Sequence, residues 1–316
     1  MFKPQRARDT IEEELIRLLL KYKELIIMTK YDGVRCLVEN CIVKGKTLIP
    51  IPNKYIQSLY GNEEYEGKEF ELVVLDHKGE YDPITCCRET VSFTNSENLV
   101  RAHHCILIDN FQLGEFPFED RLLNLDLFTK DHPKFKLPHY IIASTIEEIL
   151  HYEDSILKTD NEAIIIRNPE LTYKEGASSK EGELLRLKRY ISEEAIIEDV
   201  LPAFTNNNEP KENLLGNMER SSHIDGKVAK EEIGKFFCTL VKDIHDPWSG
   251  RLIARKGSSC VVATGSMTKD EKIKLYQEKE KLKGRMINFK SFPKGTKDKP
   301  RFATFQYFVP TFDSPI

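Results

Sequence analysis

Lys30-Tyr31-Asp32-Gly33-Val34-Arg35 follows directly on the apolar run Leu25-Ile26-Ile27-Met28. Leu25 to Thr29 and Val34 to Val38 are β-prone segments interrupted by Asp32-Gly33. Lys30 is therefore expected where a strand opens into a tight connection, as a rigidly held amine at the edge of a cleft. A lysine attacks well only as the neutral amine, so catalysis needs burial or neighbouring cations that favour that form. Gly33 lets the backbone approach a phosphate with no Cβ in the way. This grouping of amine, carboxylate, glycine and guanidinium points to covalent phosphoryl chemistry. By average residue frequencies K-x-D-G-x-R arises by chance in on the order of one chain in a few hundred of this length. A solvated lysine in an Asp-Gly turn would look the same, so the rest of the chain has to decide.

Upstream, Thr10 with Glu13 reads as a capping box, and Ile11, Leu15, Leu18 and Leu19 predict a helix over about 10 to 22. Downstream, a short helix is expected from Lys54 to Tyr60, ended by Gly61, and strands at Glu69 to Leu75 and Ile106 to Asp109. Further helices are expected from Phe118 to Phe128 and, capped by Ser144 and Glu147, to about Leu157. Ala163 to Arg167 and Leu184 to Tyr190 read as buried strands lining a polar cleft. On the latter, Arg186 and Lys188 share one face while Leu185 and Leu187 share the other, a geometry suited to clamping phosphate. Glu71 and Glu162 are strand carboxylates that would hold Mg²⁺ or Mn²⁺ if they face one cleft, because hard cations take oxygen ligands.

Beyond Tyr190 the pattern changes to short strands at Ala195 to Leu201, Lys235 to Val241, Ser259 to Thr264, Met286 to Phe292 and Phe302 to Val309. A helix from Lys269 to Leu282 begins at a Thr268/Glu271 capping box. Five strands and one helix fit a small oligonucleotide-binding (OB) barrel. Thr205 to Glu232, rich in Asn, Ser, Glu and Lys, is expected to be a mobile loop. Phe289, Phe292, Phe302, Phe305, Tyr307 and Phe308 are expected in the barrel core.

With 316 residues, 40% hydrophobic and 31% charged, the chain can bury more than one core. The formal net charge of -4 gives no global sign of nucleic-acid binding. Locally the balance reverses: Lys281, Lys283, Arg285, Lys290, Lys294, Lys297, Lys299 and Arg301 face the single acid Asp298. Such a segment suits a phosphate backbone. The seven cysteines lack C-x-x-C spacing and read as reduced packing residues. No apolar run nears the ~18 residues that span a bilayer, so no membrane partner is expected and a cytoplasmic location is, in the host cytoplasm for a viral protein.

In order and spacing, K-Y-D-G-V-R, E-F-E-L-V-V (69 to 74), I-L-I-D-N-F (106 to 111), N-E-A-I-I-I-R (161 to 167) and E-L-L-R-L-K-R-Y (183 to 190) resemble the nucleotidyltransferase motifs of ATP-dependent DNA ligases, most of all the compact bacteriophage type. Lys46 to Asn53, Tyr173 to Gly176, Arg220 to His223 and Lys297 to Phe302 extend the likeness to nearly the whole chain. The resemblance implies an α+β architecture: an adenylation domain of antiparallel sheets with flanking helices (1–190) followed by an OB barrel (191–316). It implies that Lys30 forms lysyl-AMP from ATP and passes AMP to the 5′-phosphate of nicked duplex DNA, whose 3′-hydroxyl then displaces it, in replication, repair and recombination. Arg35, Glu71, Ile108, Arg186, Lys188, Lys299 and Arg301 would bind ATP or AMP, Glu71 and Glu162 metal, and Lys46, Lys290 and Lys294 DNA; the enzyme would act as a monomer.

Four positions depart from the family pattern: Ile108 replaces an aromatic expected on adenine, Phe70 and Ala163 replace glycines, and Lys46 replaces an arginine. RNA ligases and mRNA-capping guanylyltransferases also use K-x-D-G and are the alternative reading. A non-catalytic nucleic-acid-binding protein with a degenerate nucleotide site is the rival from another class.

Overall fold

A computed structural model describes residues 2–214, 216–294 and 299–310. The chain is mixed α+β with several sheets and divides into two compact units, one up to Lys188 and one from Arg189 onward. Lys297 and Asp298 of the basic segment lie outside the described residues.

The first unit holds two five-stranded sheets. One has the order β1 (Arg8–Asp9), β10 (Leu185–Leu187), β9 (Ala163–Arg167), β2 (Leu25–Lys30), β8 (Tyr140–Ala143). Its pairs are antiparallel except β1 with β10. The other has the order β4 (Ile42–Gly45), β3 (Val34–Glu39), β5 (Lys68–Val74), β6 (His103–Asn110), β7 (Phe135–Lys136), antiparallel except β6 with β7. Five helices accompany them: α1 (Glu12–Tyr22), α2 (Lys54–Tyr60), α3 (Cys86–Asn95), α4 (Phe118–Asp131) and α5 (Ile146–Lys158).

The unbroken apolar run of β2 has a direct cause, since both of its faces are covered. Leu25 and Ile27 pack with Leu15 and Leu18 of α1 and Ile149 of α5, whereas Ile26 and Met28 pack with Phe118 and Leu122 of α4. Successive strand side chains point to opposite faces, so a strand buried on both sides reads as continuous rather than alternating hydrophobicity. In β5, Phe70, Leu72 and Val74 enter a core with Ile56, Tyr60 and Phe93 from the helices and Phe135 of β7. Phe70, expected as an oddity in place of glycine, is fully buried there, edge-on to Tyr60 and Phe135.

Helix starts are shifted from expectation. The N-cap of α1 is Ile11 with no side-chain cap, and the Thr10 hydroxyl donates to Glu14 instead. The capping box of α5 is Thr145/Glu148, one residue later than Ser144/Glu147. Asn53 caps α2, accepting from the Ile56 N–H. All seven cysteines are free, and Cys36, Cys86, Cys105, Cys238 and Cys260 are buried in packing positions.

In the second unit β11 (Ile191–Asn206), β14 (Lys227–Leu240), β17 (Ser259–Ala263), β19 (Arg301–Phe308) and β18 (Met286–Phe292) pair in that order, and β18 returns to β11. Ile197, Phe236, Val262, Ile287 and Phe289 fill the space they enclose. The expected helix breaks at Glu278 into α6 (Lys269–Gln277) and α7 (Lys279–Leu282). Phe302 and Tyr307, expected in the core, are 64% and 54% exposed. The expected loop from Thr205 to Glu232 is largely β-structure: β11 and β14 continue into it, and β12 (Pro210–Glu212) pairs with β13 (Met218–Arg220). A further hairpin joins β15 (Ile244–His245) to β16 (Leu252–Ala254).

Candidate active site

A cavity of about 940 Å³ lies within the first unit. Strand alternation explains its lining. On β9 and β10 the side chains of Ile164, Ile166, Leu185 and Leu187 enter the core, leaving Ile165, Arg167, Arg186 and, just past β10, Lys188 to line the cavity. On β5 the core residues Phe70 and Leu72 leave Glu71 on the cavity side, opposite Arg35 of β3. Lys30 ends β2 opposite Ala163, next to Glu162. Lys30, Arg35, Lys46, Glu71, Ile108, Glu162, Arg186 and Lys188, eight positions singled out in the sequence, therefore meet at one cavity.

Lys30 is 23% exposed, and its ammonium is ion-paired to Glu162, which also accepts from Lys188 Nζ at 2.5 Å. Burial disfavours charge on Lys30, but Glu162 and Glu71 outweigh it and hold the amine above its usual pKa. Burial likewise acts against the Glu162 carboxylate, and Lys30 and Lys188 overcome it, pulling the group down to about 2. Glu71 behaves oppositely: burial pushes it up to about 7, although Lys30 and a hydrogen bond from the Gly33 N–H favour its anion. One carboxylate is thus firmly ionised and the other near its midpoint at neutral pH.

The Lys30 connection is braced from three sides. Gly33 N–H donates to Glu71 Oε1 at 3.0 Å, and Asp32 N–H donates to Tyr81 Oη at 3.1 Å. The Tyr81 ring packs edge-on to Tyr31 at 4.9 Å. Before Lys30, the Thr29 N–H donates to the His139 carbonyl at 2.9 Å. The Thr29 hydroxyl meets Tyr152 Oη at 2.8 Å, and Tyr152 donates to the same His139 carbonyl. Gly33 is required by close approach to protein rather than to phosphate, because a Cβ there would lie 2.2 Å from the Leu72 carbonyl oxygen.

Behind the cavity lies a buried charge network that sequence reasoning missed. Asp109 on β6 receives Arg121 Nε at 2.7 Å and Arg167 Nη1 at 2.8 Å, and all three are at most 1% exposed. Arg167 also donates to Gln5 Oε1 at 2.9 Å. Arg35 donates to Glu69 Oε2 at 2.8 Å and to the Gln5 carbonyl at 2.7 Å, while Tyr173 donates to Glu69. Arg167 belongs to one sheet and Arg35, Glu69 and Asp109 to the other, so the network ties the two sheets together. A signal existed: Asp109 and Arg167 each close an apolar strand motif, and buried charges require partners.

Arg186 is ion-paired to Asp9. Ile108 lines the cavity, with Met28, Val91, Ile106 and Ile165 as further apolar lining. Lys290, Lys294, Lys299 and Arg301 belong to the second unit. Lys290 is exposed, its ammonium 5.5 Å from the Tyr190 ring centroid, and Lys299 is exposed. Lys294 is a correction: it is 2% exposed and pairs with buried Asp246 at 2.5 Å, so it is an internal ion pair rather than a surface cation. Among the described residues no group of three or more His, Cys, Asp or Glu forms a metal cage, and no helix is long and apolar enough to cross a membrane.

No protein-family model and no curated protein sequence matches this chain. Solved structures do match. A structure from an analysis of Lig E DNA ligases is 14% identical with a TM-score of 0.68, covering 98% of this chain and 100% of its own. The Chlorella virus DNA ligase-adenylate is 20% identical with a TM-score of 0.50, covering 98% of this chain and 100% of its own. Over nearly its full length, therefore, the chain has the fold of DNA ligases.

Proposed function

We propose that the protein is an ATP-dependent DNA ligase that seals 5′-phosphate/3′-hydroxyl nicks through lysyl-AMP on Lys30. The observation that carries this is the position of Lys30 at the cavity wall, between Glu162 and Glu71 and beside Lys188, in a chain with the ligase fold. In the first step the Lys30 amine bonds to the α-phosphorus of ATP, the α–β P–O bond breaks and pyrophosphate leaves. AMP then passes to the 5′-phosphate of the nick, and attack by the 3′-hydroxyl joins the strands and releases AMP. Such displacements depend on positioning and charge neutralisation, which the cavity's lysines and arginines supply.

Lys30 must lose its proton before attack. Glu162, which Lys30 and Lys188 pull down to about 2, is a poor acceptor for that proton. A ligand that engages Glu162 removes the main charge that keeps Lys30 protonated. Glu71 and Glu162 fit a Mg²⁺ or Mn²⁺ site completed by substrate phosphates, since Mg²⁺ is typically held by one or two carboxylates plus phosphate oxygens. Such an ion would offset phosphate charge.

We read 1–190 as the adenylation domain and 191–316 as an OB domain, with the five cyclically paired strands as its barrel. Exposed Lys290 and Lys299 suit duplex phosphates, and Lys46 the nick strand. Arg35, with two of its nitrogens already engaged, serves to shape the pocket as well as to add charge. We place the enzyme as a monomer in the cytoplasm. The test is incubation with labelled ATP or GTP, then with nicked DNA, nicked RNA or 5′-diphosphate RNA. Labelling by ATP and sealing of nicked DNA support the reading; labelling by GTP alone, or no sealing of nicked DNA, overturns it.

A further inference from the structure

We propose that Arg6 is a phosphate-binding residue of the cavity. The proposal rests on the ligase reading for the identity of the phosphate, but its evidence is independent of Lys30.

The segment from Gln5 to Asp9 runs from one sheet to the other. At one end the Gln5 carbonyl accepts from Arg35 on β3, and at the other Arg8 and Asp9 pair with Leu185 and Arg186 on β10. Between these ends the backbone is fixed: Arg6 N–H donates to the Gly176 carbonyl at 2.6 Å, and the Arg6 carbonyl accepts from Ser178 N–H at 3.0 Å. Gln5 is fully buried in the charge network, while Arg6 is exposed and lines the cavity. Adjacent residues of an extended segment face opposite ways, so burying Gln5 turns Arg6 outward.

All of the cavity's other cations but Lys46 are committed. Lys30 and Lys188 pair with Glu162, Arg35 with Glu69, Arg167 with Asp109 and Arg186 with Asp9. Among the described residues, Arg6 and Lys46 are the lining cations that make no ion pair. A guanidinium presents a planar fork of donors matched to phosphate oxygens, and a backbone anchored on both sides lowers the entropy lost on binding. The ligand is therefore a phosphate group, either of the ATP triphosphate or of the 5′ end of the nick.

The test uses full-length wild type, Arg6→Ala and Arg6→Lys. Two steps are followed separately: lysyl-AMP formation without DNA as a function of ATP concentration, and single-turnover AMP transfer from preformed lysyl-AMP enzyme to a 5′-phosphorylated nick. Arg6→Ala is expected to slow or weaken one step by about tenfold or more, with Arg6→Lys intermediate and the melting temperature unchanged. A defect in the first step identifies the triphosphate, and a defect in the second identifies the nick phosphate. Both steps within twofold of wild type, or equal losses in both with a lowered melting temperature, overturn the proposal. If the wild type forms no lysyl-AMP, it is the ligase reading that fails. The Arg6 contact is then read from calorimetric affinity for inorganic tripolyphosphate, where a tenfold loss in Arg6→Ala supports it and equal affinities overturn it.

Discussion

Glu162 grips the ammonium of Lys30 from the position just before β9, and the same carboxylate holds Lys188 at 2.5 Å. This pairing keeps Lys30 above its usual pKa. Glu162→Gln removes the charge, so the Lys30 pKa falls and its labelling by an amine-directed reagent, followed by peptide mass spectrometry, moves to lower pH. Adenylate formation is expected to drop by about tenfold or more in the same variant. Glu162 also stabilises the fold above its ordinary carboxylate value of 4.5, and that contribution is lost as pH falls toward about 2. Wild type should therefore lose stability relative to Glu162→Gln across that window. An unmoved labelling profile contradicts the pairing.

Asp109 separates Arg121 and Arg167 in a site from which water is excluded. Asp109→Asn leaves two buried guanidinium groups without their counterion, which costs about 3–5 kcal/mol. Thermal melting is expected to fall by on the order of 10 °C. A loss below about 1 kcal/mol, the scale of an exposed ion pair, would show that the network is not structural.

Gly33→Ala places a methyl group 2.2 Å from the Leu72 carbonyl oxygen, so β3 must shift against β5. The shift propagates to Lys30, three residues earlier in the chain. Lysyl-AMP formation should be lost or cut by about a hundredfold, as misplacement of a reacting group by about 1 Å can do. Near-normal labelling would show that the connection tolerates displacement.

Tyr81→Phe keeps the ring against Tyr31 and deletes the acceptor for Asp32 N–H. Stability should fall by about 0.5–1.5 kcal/mol. The maximal rate of lysyl-AMP formation should fall by several-fold with the KM for ATP little changed, because the hydrogen bond positions the nucleophile's connection rather than the nucleotide. A change confined to KM would place Tyr81 in nucleotide binding instead.

Much of the site was legible because it follows strand alternation. Glu71 beside Phe70 and Leu72, and Arg186 and Lys188 around Leu187, can be assigned to faces from the sequence alone. The buried charges were not, since Asp109, Arg121 and Arg167 of the network and, in the second unit, Lys294 carry charges that usually mark a surface, and only tertiary pairing explains their burial. Helix α3 was hidden by its Thr, Ser, Val and Asn content, all weak helix formers. The continuation of β11 past Leu201 and the start of β14 before Lys235 were hidden because these outer ends are mostly exposed or half-exposed and carry no alternating apolar face. Thr10 and Glu13 have capping-box spacing, but Arg8 and Thr10 both engage Glu14 and the cap falls on Ile11.

The central claim is that Lys30 carries AMP. Purified protein incubated with ATP and Mg²⁺, digested and analysed by mass spectrometry, should show one AMP on the peptide containing Lys30, removed by added pyrophosphate and absent from Lys30→Ala. An unmodified Lys30 peptide under these conditions, or AMP on a different residue, would contradict the account.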